Sequence, residues 1–159
     1  MEQLLVQWLP AKASRDDETL WLPLWMHLRD TAYVMGYLVD TWLPEATQKA
    51  ILPDGDEEKL RKTAVLLGFL HDLGKASPAF CSMLLQHLDE EVENRLERNG
   101  LSLSSYRGFP ERSRSPHALL GETVLLRYQF PLHFATIIGA HHGKPHSLED
   151  KHWDENQTS

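Results

Sequence analysis

The sequence predicts an all-α protein, a compact bundle of five or six helices in one domain. Three observations carry that expectation. Apolar residues recur at steps of three and four along most of the chain. Prolines and glycines punctuate it at helix-length intervals. No stretch shows the alternation of a half-buried strand, and no internal repeat or low-complexity tract stands out.

The elements follow in order. Residues 1–19 read as irregular, with an acidic patch at Asp16-Asp17-Glu18. A first helix starts near Pro23, a residue tolerated in the first turn. It carries Leu24, Leu28, Met35, Leu38 and Trp42 near one stripe and stops at Pro44. Residues 44–56 connect, with room for a short helix over 45–51 and a turn signal at Pro53-Asp54-Gly55. A second helix runs from Glu57 to Leu73. Leu60, Ala64, Leu67 and His71 form its inward stripe, and Asp72 lies about 100° further round, in line with Val65 and Phe69. Gly74 is expected to be the left-handed residue that closes this helix.

Ser77-Pro78 reads as a cap followed by a first-turn proline. The third helix then extends to about Arg98, with Phe80, Leu84, Leu88, Val92 and Leu96 as its stripe, until Asn99-Gly100 stops it. Residues 100–114 are rich in Ser, Arg and Gly and read as a mobile loop. Ser115-Pro116 opens a fourth helix, 116–129, with His117, Gly121, Val124 and Tyr128 on one stripe. Pro131 separates it from a fifth, 132–142, lined by Phe134, Ile137 or Ile138, and His141. Residues 146–159 form a polar tail.

Composition narrows the functional classes. The length of 159 residues, with 42% hydrophobic and 25% charged, suits one soluble domain with a real core. Cys81 is the one cysteine, so no internal disulfide forms and a reducing compartment is expected. Met1-Glu2-Gln3 lacks the basic start of a signal peptide, and no uncharged apolar run approaches the ~20 residues of a membrane span. A cytoplasmic protein with no membrane partner is the expectation. The net charge of −7 argues mildly against a generic nucleic-acid binder. Locally, Arg107, Arg112 and Arg114 supply a basic loop able to contact a nucleic-acid backbone.

Nine histidines are the unusual feature. His71-Asp72 follows the apolar run Ala64–Leu70. Two polar residues there cost free energy unless partnered, and a metal ion is a common partner for both. His27, His117, His141 and His142 likewise sit on or beside apolar stripes near helix ends. Helix ends from different elements converge in α-helical metal sites, and C-terminal ends favour cations. Each residue has a blander reading, as a hydrogen-bonded buried pair or a solvated terminus, but one site accounts for all of them. Imidazole plus carboxylate suits Mn, Fe, Co, Ni or Zn better than Ca. His87, His133, His146 and His152 read as structural or solvated. Lys75, one turn after the doublet, could face a phosphate oxygen as a point charge.

The order His27, His71-Asp72, His117, His141-His142 resembles the HD superfamily of metal-dependent phosphohydrolases. The segments LPLWMHLRDTA, FLHDLGKASPAF, SPHALLGE and IIGAHHG resemble, in order and spacing, the HD nuclease domain of the type I CRISPR-associated helicase-nuclease. Ala11-Lys12-Ala13-Ser14 resembles a short lysine-containing motif near the start of that domain, so the likeness covers roughly residues 8–145.

The resemblance implies an HD helical fold and cleavage of single-stranded DNA with two divalent transition-metal ions. It implies a helicase portion and an RNA-guided surveillance complex as partners. By position, His27, His71 and Asp72 would hold the first ion. Asp72 would bridge to a second ion held by His117, His141 and His142, with Asp72 and Lys75 as the catalytic pair. The sequence departs from the family pattern twice. Family members complete the first metal site with an aspartate well downstream of the His-His pair. Here 17 residues follow His142, with Asp150 and Asp154 as the candidates. No helicase portion is present in 159 residues. Two competing expectations remain: an HD phosphohydrolase of nucleotides or small phosphate esters, and an inactive HD remnant acting as a binding module.

Overall fold

The computed structural model describes residues 5–103 and 116–145. Within them lie seven α-helices: α1 (Leu24–Thr41), α2 (Glu45–Ile51), α3 (Glu57–Leu70), α4 (Pro78–Leu84), α5 (Glu90–Arg98), α6 (His117–Arg127) and α7 (Leu132–Gly139). The fold is all-α apart from one small antiparallel pair of strands. None of these helices is long and apolar enough to cross a membrane.

That strand pair corrects the expectation of an irregular start. β1 (Pro10–Ala13) pairs with β2 (Trp21–Pro23), with Ala13 opposite Trp21 and Lys12 opposite Leu22. Strands this short carry too few residues to show an alternation in sequence. Tertiary packing holds them instead. Leu9 and Ala11 are buried beside Leu24, Leu28, Val92 and Leu96 in the largest core cluster. The Leu24 amide donates to the Leu9 carbonyl at 2.7 Å, so β2 runs directly into α1.

The expected third helix is two helices. After α4 the chain tightens into a 3-10 turn at Leu85–His87 and breaks at Leu88, which is extended. Asp89 restarts it, its side chain accepting from the Val92 amide at 3.0 Å. Asp-Glu-Glu is an N-terminal signal, and it outweighs the unbroken apolar stripe. At the head of α4 the expected cap is present: Ser77 accepts from the Phe80 amide, and Pro78 occupies the first turn.

α1 and α3 form the central pair, and small residues set their distance. A Cβ on Gly68 would stand 2.7 Å from Met35 Cγ and 3.2 Å from Ala32 Cα. Gly36 faces Val65 and Arg61, and Arg61 bonds Asp40 one turn on. Partner numbers rise along α1 as they fall along α3, so the two are antiparallel. The buried face of α1 is Leu24, Leu28, Ala32, Gly36 and Val39. Trp42, expected on that stripe, is 75% exposed; it lies one residue past the end of α1. On α6 the buried face is Ala118, Gly121, Glu122 and Leu125, which turns Tyr128 out to solvent. On α7 it is Ala135, Ile138 and Gly139.

α3 stops at Leu70, three residues short of the expected Leu73, and the chain continues through a 3-10 turn at Leu73–Lys75. Gly74 is not left-handed; among the described glycines only Gly55, Gly100 and Gly143 have positive φ. Its role is close approach. A Cβ on Gly74 would lie 1.9 Å from the His117 carbonyl oxygen and 2.7 Å from the Gly121 amide nitrogen. The turn after α3 therefore rests backbone-to-backbone on the start of α6. Gly74→Ala is expected to destabilise the fold by about 3 kcal/mol or more, read as a drop in the urea midpoint. A variant as stable as the parent would show that this contact does not hold the two segments together.

Candidate metal centre

Five chain segments deliver polar side chains to one point. His27 comes from the first turns of α1, just after β2 has anchored that helix. His71 and Asp72 come from the end of α3, where the helix gives way to the 3-10 turn. Lys75 ends that turn. His117 is the first residue of α6. His141 and His142 follow α7, which ends at Gly139 rather than continuing to 142 as expected. Ala140 caps the helix, and Gly143, at φ +96°, turns the chain after the pair, with His141 partly buried and His142 exposed.

Asp72 is the hub. It is 4% exposed, and its two oxygens are shared between two sets of imidazoles. Oδ2 lies 2.7 Å from His27 Nε2, 3.0 Å from His71 Nε2 and 2.7 Å from Lys75 Nζ. Oδ1 lies 3.0 Å from His117 Nε2 and 3.2 Å from His141 Nε2. His142 Nε2 is 2.9 Å from His117 Nε2, which places it on the Oδ1 side. Ligand atoms of His27, His71 and Asp72 lie within 4.8 Å of one another, and so do those of His117, His141 and His142.

The ring orientations are fixed from behind. His71 Nδ1 lies 2.7 Å from the Gly68 carbonyl oxygen, and His141 Nδ1 lies 2.7 Å from the Ile138 carbonyl oxygen. A carbonyl only accepts, so each Nδ1 carries a proton. A neutral ring then presents a lone pair at Nε2, and that lone pair faces a carboxylate oxygen which also offers lone pairs. Such an arrangement needs a positive charge between the two atoms, either a second proton on the ring or a metal ion. Among the described residues, Asp72 Oδ1 and His141 Nε2 are buried and make no well-aimed hydrogen bond. Buried polar atoms in that state call for an ion or water. The donor set fits a divalent transition metal on both counts.

The electrostatics agree. Burial works against the Asp72 charge, but polar contacts with His117, His141, His71 and Lys75 outweigh it and hold the carboxyl far below its usual range. Contact with Asp72 raises the His141 pKa against the opposing effect of burial. His27 is lowered, chiefly by burial, with the Asp72 bond opposing. His142 is lowered by burial and then by the neighbouring His141 and His117. The centre thus holds a carboxylate that stays ionised and imidazoles with unequal appetite for protons.

Lys75, which could face a phosphate, has its ammonium 2.7 Å from Asp72 Oδ2 in the structure. The structure also adds residues that motif spacing did not single out. The Phe80 ring lies 5.4 Å from Lys75 Nζ and 5.4 Å from the His117 ring, beside both halves of the centre. Glu122 is 1% exposed, and its carboxylate accepts from the Thr136 hydroxyl at 3.2 Å, tying α6 to α7. A Cβ on Gly139 would stand 2.2 Å from Glu122 Oε2, so the glycine makes room for this tie. A lone glutamate inside the apolar stretch HALLGETVLL was the available signal. His87 lies beside Gln86, and His133 packs on Phe134 at the surface, both outside the centre. Arg107, Arg112, Arg114, His146, Asp150, His152 and Asp154 lie outside the described residues.

Comparison with known proteins supplies the relationship. The family described as Cas3, HD domain, matches residues 10–159. The chain is 35% identical over 144 residues to the CRISPR-associated nuclease/helicase Cas3 of Streptococcus thermophilus, covering 84% of this chain and 15% of that protein. It is 33% identical over 140 residues to the CRISPR-associated endonuclease/helicase Cas3 of Thermus thermophilus, covering 81% of this chain and 14% of that protein. It therefore spans about a seventh of the length of these curated relatives. No solved structure matches at a significant level. With His71-Asp72 at its hub and the family match running from the first strand onward, the chain belongs to the Cas3 HD-domain family.

Proposed function

We propose that the chain is a metal-dependent nuclease domain that hydrolyses phosphodiester bonds of single-stranded DNA in CRISPR interference, working in the cytoplasm. Its partners in this reading are a helicase portion, as the names of the relatives suggest, and an RNA-guided surveillance complex. The observation that carries the proposal is the division of one buried carboxylate, Asp72, between two groups of histidines.

His27, His71 and Asp72 Oδ2 would hold one divalent ion, and His117, His141, His142 and Asp72 Oδ1 the other. Bound there, the ions would supply an activated water and stabilise negative charge on the phosphodiester oxygens. The residues contribute the geometry. Gly68 and Ile138 fix the tautomers of His71 and His141 so that Nε2 is the donor atom. Asp72 stays charged at any working pH and sets the spacing of the two halves. Among these residues no serine, threonine or cysteine stands at the centre as a nucleophile; Cys81 is buried, and burial pushes its thiol up to about 12. Water is the attacking group.

The test is a cleavage assay of this chain on single-stranded DNA, with nucleotides and small phosphate esters alongside, in Mn, Ni, Co, Fe, Zn and Mg. DNA is expected to be cut in at least one transition metal, and His71→Ala and Asp72→Ala to lower the rate by at least about 100-fold. Cleavage that survives both substitutions would sink the nuclease assignment. Turnover of nucleotides alone would favour a small-molecule phosphohydrolase. Bound metal with no turnover of any substrate would favour a binding module.

Metal affinity is also expected to fall as pH falls. Protons compete with the ion for each Nε2, and binding releases them. His141, whose pKa is raised, loses its donor atom to a proton first as the solution acidifies. His27 and His142, whose pKa values are lowered, follow at lower pH. Zinc titrations between pH 8 and pH 5.5 check this, and affinity that is flat across that range would contradict it.

A further inference from the structure

The two halves of the centre share a carboxylate but do not carry the same charge. Oδ1 meets imidazoles, from His117 and His141, with His142 beside them. Oδ2 meets two imidazoles and an ammonium, with Lys75 Nζ as near as His27 Nε2, at 2.7 Å each. A divalent ion reaching Oδ2 has to share that oxygen with a cation already seated on it. Like charges in a poorly hydrated site repel with little screening.

The ammonium is built in rather than draped over the surface. The Lys75 side chain is 10% exposed. Its backbone belongs to the 3-10 turn that Gly74 packs against α6, its carbonyl accepts from Cys81 Sγ at 3.7 Å, and the Phe80 ring lies beside Nζ. The opposite half has one more imidazole and no such competitor among the described residues.

We infer that Lys75 is an internal competitor for metal: the His117/His141/His142 half loads first, and the His27/His71 half accepts an ion only by displacing the Lys75 ammonium from Asp72. This rests on the two-ion reading above. The single-ion form then dominates at low metal concentration, and the two-ion form appears only above a second, weaker constant. Lys75 acts through Asp72, so it is a positioning residue for metal rather than a ligand.

The experiment is an equilibrium Mn titration of the chain, reading bound metal by elemental analysis and the coupled ion pair by electron paramagnetic resonance. Two steps at least tenfold apart are expected. Lys75→Met, with Lys75→Gln as a second neutral variant, should tighten the weaker step at least tenfold and leave the tighter one within threefold. In the unmodified protein, lysine-labelled nitrogen spectra should keep the Lys75 ammonium signal through the first equivalent of Zn and lose or shift it with the second. That arm decides the matter if either variant fails to fold. An unchanged or weakened second step in both variants, two equal steps in the unmodified chain, or a Lys75 signal that moves with the first equivalent would each overturn the inference while leaving the two-ion reading intact. No bound metal in the unmodified chain would overturn both together.

Discussion

The structure depends on burying one carboxylate. Asp72 is nearly inaccessible, and an ionised carboxylate in that position is costly unless positive or polar groups surround it. Four imidazoles and one ammonium converge on its two oxygens from α1, α3, the following turn, α6 and the turn after α7. The elements pack into shared hydrophobic clusters, yet each also reaches Asp72 near one of its ends. A bundle organised this way places its functional group where helix ends meet rather than in a cleft between faces.

Close backbone approach makes that convergence achievable. Gly68 lets α3 sit against Ala32 and Met35 of α1, which brings His27 and His71 to the same oxygen. Gly74 lets the turn after α3 touch the first turn of α6, which brings His117 to the other oxygen. Gly139 accommodates the Glu122–Thr136 tie that seats α7, and with it His141 and His142. Three glycines thus set the spacing of three helix contacts, and none of them needs a left-handed backbone to do so. The second layer of hydrogen bonds is local: each of His71 and His141 is oriented by the carbonyl three residues earlier, in the helix that leads into it. The direction of each ring is therefore encoded within short segments, while the distances between rings are encoded between them.

The asymmetry of the centre follows from the same geometry. The turn that carries Asp72 also carries Lys75 three residues on, so the carboxylate arrives with a cation attached to one oxygen. The histidines of α6 and the α7 turn approach the other oxygen, against which no lysine ammonium is seated among the described residues. Charge in the two halves is set by which backbone delivers which residue.

Much of this was legible in the sequence. Helical periodicity gave the all-α class, and prolines and capping residues located α1, α2 and the starts of α4, α6 and α7 within a residue or two. Ser77-Pro78 and Pro53-Asp54-Gly55 behave locally, so local chemistry predicted them. The order and helix-end placement of His27, His71-Asp72, His117 and His141-His142 picked out the residues that the structure brings together. What stayed hidden depends on partners distant in sequence. β1 and β2 are too short to show a pattern and exist because Leu9 and Ala11 complete a core built by α1 and α5. The break at Asp89 was masked by an apolar stripe that continues through it. Gly74 looked like a helix terminator, because a backbone contact with α6 leaves no trace in the residues around it. Lys75 looked like a group for solvent or phosphate, because only the folded turn shows its ammonium seated on Asp72. Residue identity and spacing determined which groups could take part in the chemistry. The tertiary structure alone decided which oxygen of Asp72 each of them faces, since that is set by the packing distance between helices rather than by any single one of them.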